Sequence, residues 1–179
     1  MKKLLFLAVA LMMVATGANA QSKAVNDAVK AVNKAKAESE NPKKAASSAT
    51  WVKLANAYVA SYDAPAEGLL AGSPKFQIDL VLKGQPALSK EQVEKGGKVL
   101  EAVTYVDKVL YFDEAGNLMA WVVTKPVIEN TLKLALEAAS KAVELDSKNA
   151  QAKPLGEIFS GLKQRHFDAA MFHNALGNY

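Results

Sequence analysis

Cysteine is absent from the 179 residues. Its absence excludes disulfides, thiolate metal ligands, a cysteine nucleophile and the acylated cysteine that anchors lipoproteins. Histidine is scarce as well, since only His166 and His173 occur. They lie seven residues apart on one predicted helix with no third ligand beside them, whereas zinc takes three or four protein ligands. We therefore expect packing or surface positions for both histidines, and no metal site.

Neither sign of charge is in large excess. The chain has 22 Lys and Arg against 18 Asp and Glu, a net charge of +4. Without Lys2 and Lys3 the 22 basic residues become 20, against 18 acidic residues, and the net charge falls to +2. No long basic run follows, so the sequence does not favour binding to a nucleic-acid backbone.

Motifs of catalysis are also missing. No G-x-S-x-G nucleophile sequence is present, and Gly96-Gly97-Lys98 lacks the earlier glycine and the following Ser or Thr of a phosphate loop. The acidic residues Glu137, Glu144 and Asp146 stand among alternating lysines, a pattern typical of a solvated helix face. The sequence therefore predicts a protein that is not an enzyme and holds no cofactor.

The first twenty residues have the features of a signal peptide. Lys2 and Lys3 precede the apolar run Leu4–Val14, and Ala18-Asn19-Ala20 supplies small residues for cleavage. The apolar run is shorter than the about 20 residues that span a bilayer. We expect export to the periplasm or beyond, cleavage near Ala20, no stable membrane anchor, and one mature domain over 21–179.

Apolar residues repeat at intervals of three and four in four segments, which predicts amphipathic helices. These helices cover about 22–40, 47–62, 126–146 and 153–176. Pro42 ends the first, because proline lacks an N–H and disfavours helical geometry in the residue before it. Pro126 and Pro154 stand near the starts of the third and fourth, where proline is tolerated.

An insertion over 64–125 interrupts the helical pattern. Eight of the chain's helix-breaking residues, among others, fall inside it: Gly68, Gly72, Pro74, Gly84, Pro86, Gly96, Gly97 and Gly116. Phe76–Leu80 suits either a short strand or a helical turn. Ser89–Gln92 matches a capping box and predicts a short helix, and Val99–Val106 has no clear assignment.

A β-hairpin at about 108–124 is the clearest element of the insertion. Val109–Phe112 and Leu118–Val123 are rich in β-forming residues, and Gly116 suits the left-handed position of a type I turn with a G1 bulge. Asp113 and Asn117 suggest calcium, but calcium needs six or more oxygen ligands. We therefore expect a plain turn there.

The second predicted helix carries a recognisable motif. Trp51, Leu54, Ala55 and Tyr58 lie at i, i+3, i+4 and i+7, so they share one helical stripe. The motif resembles the W-x2-L-G-x2-Y opening of a tetratricopeptide repeat (TPR). Residues 139–149 resemble the close of such a repeat, with Ser147 at the family's proline, and Gly177-Asn178-Tyr179 resembles its G-x-Y.

This resemblance to TPR proteins, in particular secreted ones of Bacteroidetes type with an insertion inside a repeat, implies a mostly α fold. We expect antiparallel helix pairs of α-solenoid type, with the helices near 51 and 132 packed together. Solenoids need about three repeats, and this chain has fewer. Either it is the N-terminal piece of a longer protein, the interpretation we favour, or its open C-terminal end is buried by self-association.

The implied function is an exported, non-enzymatic scaffold that binds a protein or peptide on its concave surface. The alternative is a carbohydrate- or nutrient-binding module of the outer envelope, with aromatic side chains that stack on a sugar. The candidates for stacking are Trp51, Tyr105, Tyr111, Phe112 and Trp121. Trp51 belongs to the predicted core, and Trp121 faces either core or solvent according to strand register.

Overall fold

The structure is a computed structural model that describes residues 23–177, and the predicted signal peptide lies outside that range. The helices are α1 (Lys23–Glu40), α2 (Pro42–Ala45), α3 (Ser48–Asp63), α4 (Lys75–Val81), α5 (Thr131–Leu145) and α6 (Ala152–Ala175). A 3₁₀ turn covers Ala64–Ala66. The strands are β1 (Ser89–Lys95), β2 (Lys98–Thr104), β3 (Lys108–Phe112) and β4 (Leu118–Val123).

The expectation of a mostly α fold, a TPR-like solenoid with a small insertion, is wrong. Residues 23–177 contain six helices and a four-stranded antiparallel sheet, with 56% of these residues helical and 17% in strands. The fold is mixed α/β. The sheet is twice the size of the predicted hairpin, and it has its own apolar clusters on both faces.

The missed half of the sheet is the hairpin of β1 and β2. The capping box at Ser89–Gln92 predicts a helix, but these residues open β1. Gly96 and Gly97 have φ values of 56° and 71°, which suit the two central residues of a type I′ turn. Lys95 pairs with Lys98 across this turn. The tight glycine turn folds a polar segment back onto the apolar β2, so strand pairing overrides local helix propensity.

The strands follow one another in the order β1-β2-β3-β4. The hairpin of β3 and β4 lies within the predicted range of about 108–124, and Gly116 has the expected positive φ of 78°. The sequence of Phe76–Leu80 suits either a strand or a helical turn, and in the structure this segment lies in α4. Pro126 does not open a helix: α5 begins at Thr131, after Asn130 takes a left-handed φ of 55°.

The helical core forms where α3 packs against both α1 and α5. Ala55 of α3 and three alanines of α5, Ala135, Ala139 and Ala142, have no exposed surface. Trp51 packs against this cluster, and its indole N–H donates a hydrogen bond of 2.8 Å to the Ala45 carbonyl. The segments near 51 and 132 therefore share one core, held by small residues that let the helices approach closely.

The sheet lies between two layers. On one face, α4 and the segment before it cover a cluster that includes Ile78, Leu110 and Phe112. On the other face, Phe172 and Leu176, at the C-terminal end of α6, pack with residues of the strands. Because the start of α6 packs in the helical core, α6 joins the two halves of the fold.

We expect Ala139→Leu to lower the free energy of unfolding by about 1–3 kcal/mol, because a fully packed position cannot take three more carbon atoms without strain. The matched control is Ser140→Leu, the next residue on α5, which is exposed. Urea denaturation of residues 21–179 followed by circular dichroism measures both. Equal stability of the two variants would contradict the close packing of α3 on α5.

Gly96→Ala tests the contact between the sheet and α6. A Cβ at Gly96 would lie 2.5 Å from the Ala175 carbonyl oxygen, whereas one at Gly97 would meet nothing within 4 Å. Both positions have positive φ, so alanine costs about 1–2 kcal/mol of backbone strain at either. We expect Gly96→Ala to lower the free energy of unfolding by at least about 1 kcal/mol more than Gly97→Ala.

Thermal and urea denaturation of the two variants give this difference directly. A smaller loss at Gly96 than at Gly97 would show that the β1–β2 turn does not rest on the end of α6.

Candidate functional site

The α6 helix is fixed at both ends and open between them. Leu155, Ile158 and Leu162 are buried in the helical core near its start, and Leu176 is buried against the sheet just beyond its end. Most of the residues from 163 to 174 are exposed. The middle of α6 therefore presents a surface whose position is set by two separate cores.

A charged pair fixes the middle of the helix to the end of α3. The guanidinium of Arg165 donates to both carboxylate oxygens of Asp63, at 2.8 and 2.5 Å, and to the Gly161 carbonyl at 2.9 Å. The hydrogen bond to Asp63 raises the pKa of Arg165. A Cβ at Gly161 would lie 2.8 Å from Arg165 Nη1, so the glycine leaves room for the guanidinium.

Large apolar side chains are exposed on the same helix and on its neighbour α5. Phe167 is 59% and Met171 is 50% exposed, one turn apart on α6. Phe159 on α6 and Leu136 and Val143 on α5 are also exposed. We call these five residues the α5–α6 surface. The five lie on two helices that pack against each other. Phe167 and Met171, at i and i+4, share the side of α6 that is opposite its buried residues, and exposed apolar side chains that lie together mark interaction sites.

The acidic residues noted in the sequence do not form an acid pair. Glu137 is exposed, and Glu144 accepts a hydrogen bond of 2.6 Å from Lys141. Asp146 accepts from the backbone N–H groups of Ala150 and Gln151, at 2.9 and 2.7 Å. Its carboxylate thus holds the short connection from α5 to α6, a structural role.

The other candidate ligands also lie apart. His166 and His173 are both exposed on α6, and among residues 23–177 no group of three metal-binding side chains comes together. Asp113 accepts a hydrogen bond of 2.8 Å from the Asn117 N–H. This side chain closes the β3–β4 turn, so its carboxylate is used within the loop.

The five aromatic residues considered for sugar stacking do not share a surface. Trp51 lies in the helical core, whereas the other four belong to the sheet region. Trp121 is half-buried and packs edge-on to Phe172, with ring centroids 4.5 Å apart. Tyr105 and Phe112 are buried, and burial raises the pKa of the Tyr105 phenol. No aromatic platform results from these residues.

A shallow cleft of about 280 Å³ lies between α4 and the first two strands. Lys75, Lys83 and Lys90 line it together with Asp79 and Tyr105. Lys75 pairs with Glu101 and stands 5.2 Å from the centre of the Phe112 ring, so one of the three cations is already neutralised. These residues come from separate segments between 75 and 105, and no local motif predicts the cleft.

No family model, curated protein or solved structure matches this chain. Across residues 23–177, none of the helices combines the length and the apolar character that crossing a membrane requires.

We expect Arg165→Ala to lower the free energy of unfolding by about 1 kcal/mol, because Asp63 and the Gly161 carbonyl lose their shared partner at a partly exposed site. Lys163→Ala, an exposed change two residues earlier on α6, is the control, and we expect it to stay within about 0.5 kcal/mol of the parent. Urea denaturation at low and high salt measures both. A loss at Lys163 as large as that at Arg165 would contradict the anchoring role.

Proposed function

We propose that this chain is an exported, non-enzymatic binding module that takes an apolar helix of a partner protein on the α5–α6 surface. The observation that carries the proposal is the exposure of Phe167 and Met171 on a helix held rigidly at both ends. Export is supported by the leader-like sequence that ends near Ala20.

The energetics favour a partner at this place. Burying a large apolar side chain contributes about 1.5–3 kcal/mol relative to leaving it in water. Interfaces owe most of their affinity to a few such anchors near the centre. Phe159, Phe167 and Met171 lie at i, i+8 and i+12 on α6. A partner helix with its own apolar stripe along α6 would bury Phe167 and Met171, which share one side of the helix at i and i+4.

The local sequences support the same proposal. The Trp51 motif of α3 and the 139–149 segment at the end of α5 resemble TPR sequences, and this resemblance implies a protein-binding role although the fold is not a solenoid. The exposed side of α5 carries lysines and glutamates in alternation, among them the Lys141–Glu144 pair. A polar rim of this kind around apolar anchors is typical of protein interfaces.

The test compares two variants with the same chemistry. Phe167→Ser with Met171→Ser removes two exposed apolar side chains at i and i+4 on α6. Phe76→Ser with Leu80→Ser removes two at the same spacing on α4, where they are 64% and 70% exposed. A photo-crosslinking amino acid at 167, with the same group at 76 as control, identifies the partner in a cell-envelope preparation, and the purified partner is then titrated.

We expect the α6 double variant to weaken binding of the purified partner at least tenfold, the loss of about 1.4 kcal/mol, and the α4 variant to leave the Kd within about twofold. Circular dichroism shows whether both remain folded. The proposal fails if crosslinks form equally from 76 and 167, or if the two variants bind alike.

A further inference from the structure

The outer edge of β1 is open. In the sheet order β1 is terminal, and within residues 23–177 it pairs with β2 alone. Five of its seven residues are exposed. The opposite edge differs, because the Gly72 and Lys75 N–H groups donate to the Leu118 and Gly116 carbonyls and cover the start of β4. Of the two edge strands, β1 is therefore the one that no neighbouring segment of the described chain covers at any point.

The phase of the hydrogen bonds shows which residues of β1 face outward. The Tyr105 N–H donates to the Lys108 carbonyl at 2.8 Å, so odd-numbered residues of β2 bond toward β3 and even-numbered ones toward β1. The β1 residues that pair with the even-numbered residues of β2, such as Glu91 and Val93, therefore direct their backbone N–H and carbonyl groups toward β2. The N–H and carbonyl groups of Lys90, Gln92 and Glu94 point to the open edge.

These three outward-facing residues have a self-complementary charge pattern. Lys90 is cationic, Gln92 is neutral and Glu94 is anionic. Their side chains share one face of the strand, because they alternate with the residues that bond to β2. When two copies of such a strand pair antiparallel about Gln92, Lys90 of each copy stands opposite Glu94 of the other. Within the described chain, neither Lys90 nor Glu94 forms an ion pair.

We propose that β1 pairs with β1 of a second copy of this chain, antiparallel and centred on Gln92, to form a dimer with a continuous eight-stranded sheet. Three residue pairs then exchange about six backbone hydrogen bonds, and two Lys90–Glu94 pairs flank the two-fold axis. Such isologous contacts close on themselves and stop at two copies.

The charges also select the register. A shift of one residue in either direction would set an outward-facing residue of one copy opposite an inward-bonding residue of the other, so the backbone hydrogen bonds between the strands could not form. A shift of two residues would leave Lys90 opposite Gly96 and Glu94 opposite Gln92, without ion pairs between them. The register centred on Gln92 is the one in which both charged positions of the outer edge are matched.

Charge reversal tests the pairing. We expect sedimentation equilibrium of residues 21–179 to show a dimer, and Lys90→Glu or Glu94→Lys alone to raise its dissociation constant about tenfold, because each creates two like-charged pairs. The double variant Lys90→Glu with Glu94→Lys restores the opposite-charge pairs, so its dissociation constant returns to within about threefold of the parent. Lys30→Glu on α1 and Glu157→Lys on α6, exposed reversals elsewhere, control for net charge.

A second measurement reports the register itself. Since the chain has no cysteine, Gln92→Cys introduces a single thiol, and the two thiols face each other across the axis at about 5.5 Å between Cα atoms, within reach of a disulfide. We expect rapid covalent dimer formation under mild oxidation for Gln92→Cys and not for Glu157→Cys, an exposed position on α6. A monomer at all concentrations up to about 1 mM, failure of the double reversal to restore association, or equal crosslinking of both cysteine variants overturns the proposal.

The dimer does not depend on the proposed partner site. The double serine variant at Phe167 and Met171 leaves β1 intact, so it should keep the dissociation constant of the parent dimer while losing the partner. Loss of dimer in that variant would show that the copies associate through the α5–α6 surface instead of through β1.

Discussion

The close packing of α3 against α5 determines how everything else in this fold is arranged. Alanines without exposed surface bring the two helices together, and the whole segment from 64 to 130 leaves and returns at one end of that pair. Ala64 and Val127, at the two ends of the segment, lie in one cluster with Val25 of α1. The two connections between the helical core and the sheet, near Ala64 and Val127, therefore lie side by side at one end of the core.

The α6 helix makes the sheet part of the same body. Arg165 meets Asp63 at the end of α3, and ten more residues carry α6 about 15 Å further, to the face of the sheet. There the Ala175 carbonyl lies against Gly96 so closely that no side chain fits. The β1–β2 hairpin, which pairs with one neighbour only, thus gains a second point of attachment. Its glycine turn serves both the hairpin geometry and this contact.

Sequence patterns account for the helices but not for half of the sheet. The apolar repeats predict helices at about 22–40 and 47–62, and the structure has Lys23–Glu40 and Ser48–Asp63. The β1 segment SKEQVEK has no alternation of apolar residues and is rich in helix formers. An edge strand exposed on both sides needs no apolar face, so only Gly96-Gly97 marked the hairpin locally. The start of α5 was misplaced because a left-handed Asn130 has no strong sequence signal.

The same sequence patterns predict part of the candidate surfaces. The spacing of Leu155, Ile158 and Leu162 defines the buried stripe of α6, and Phe167 and Met171 fall away from it. Apolar residues off the buried stripe are the available sequence signal of a docking face. The basic cleft and the open edge of β1 depend on strand pairing across distant segments, so neither has a local motif.

The two proposed contacts are geometrically linked through α6. The edge of β1 is held by its turn at Gly96 against Ala175, and Phe167 and Met171 of the α5–α6 surface lie on the same helix one to two turns earlier. In the β1-paired dimer both copies of that surface are therefore carried on one continuous sheet at a fixed separation. A partner with two binding segments would gain effective concentration from this arrangement without any new contact. The attachment of α6 to both cores would then fix the distance between the two α5–α6 surfaces of the dimer, and it would also stabilise each chain.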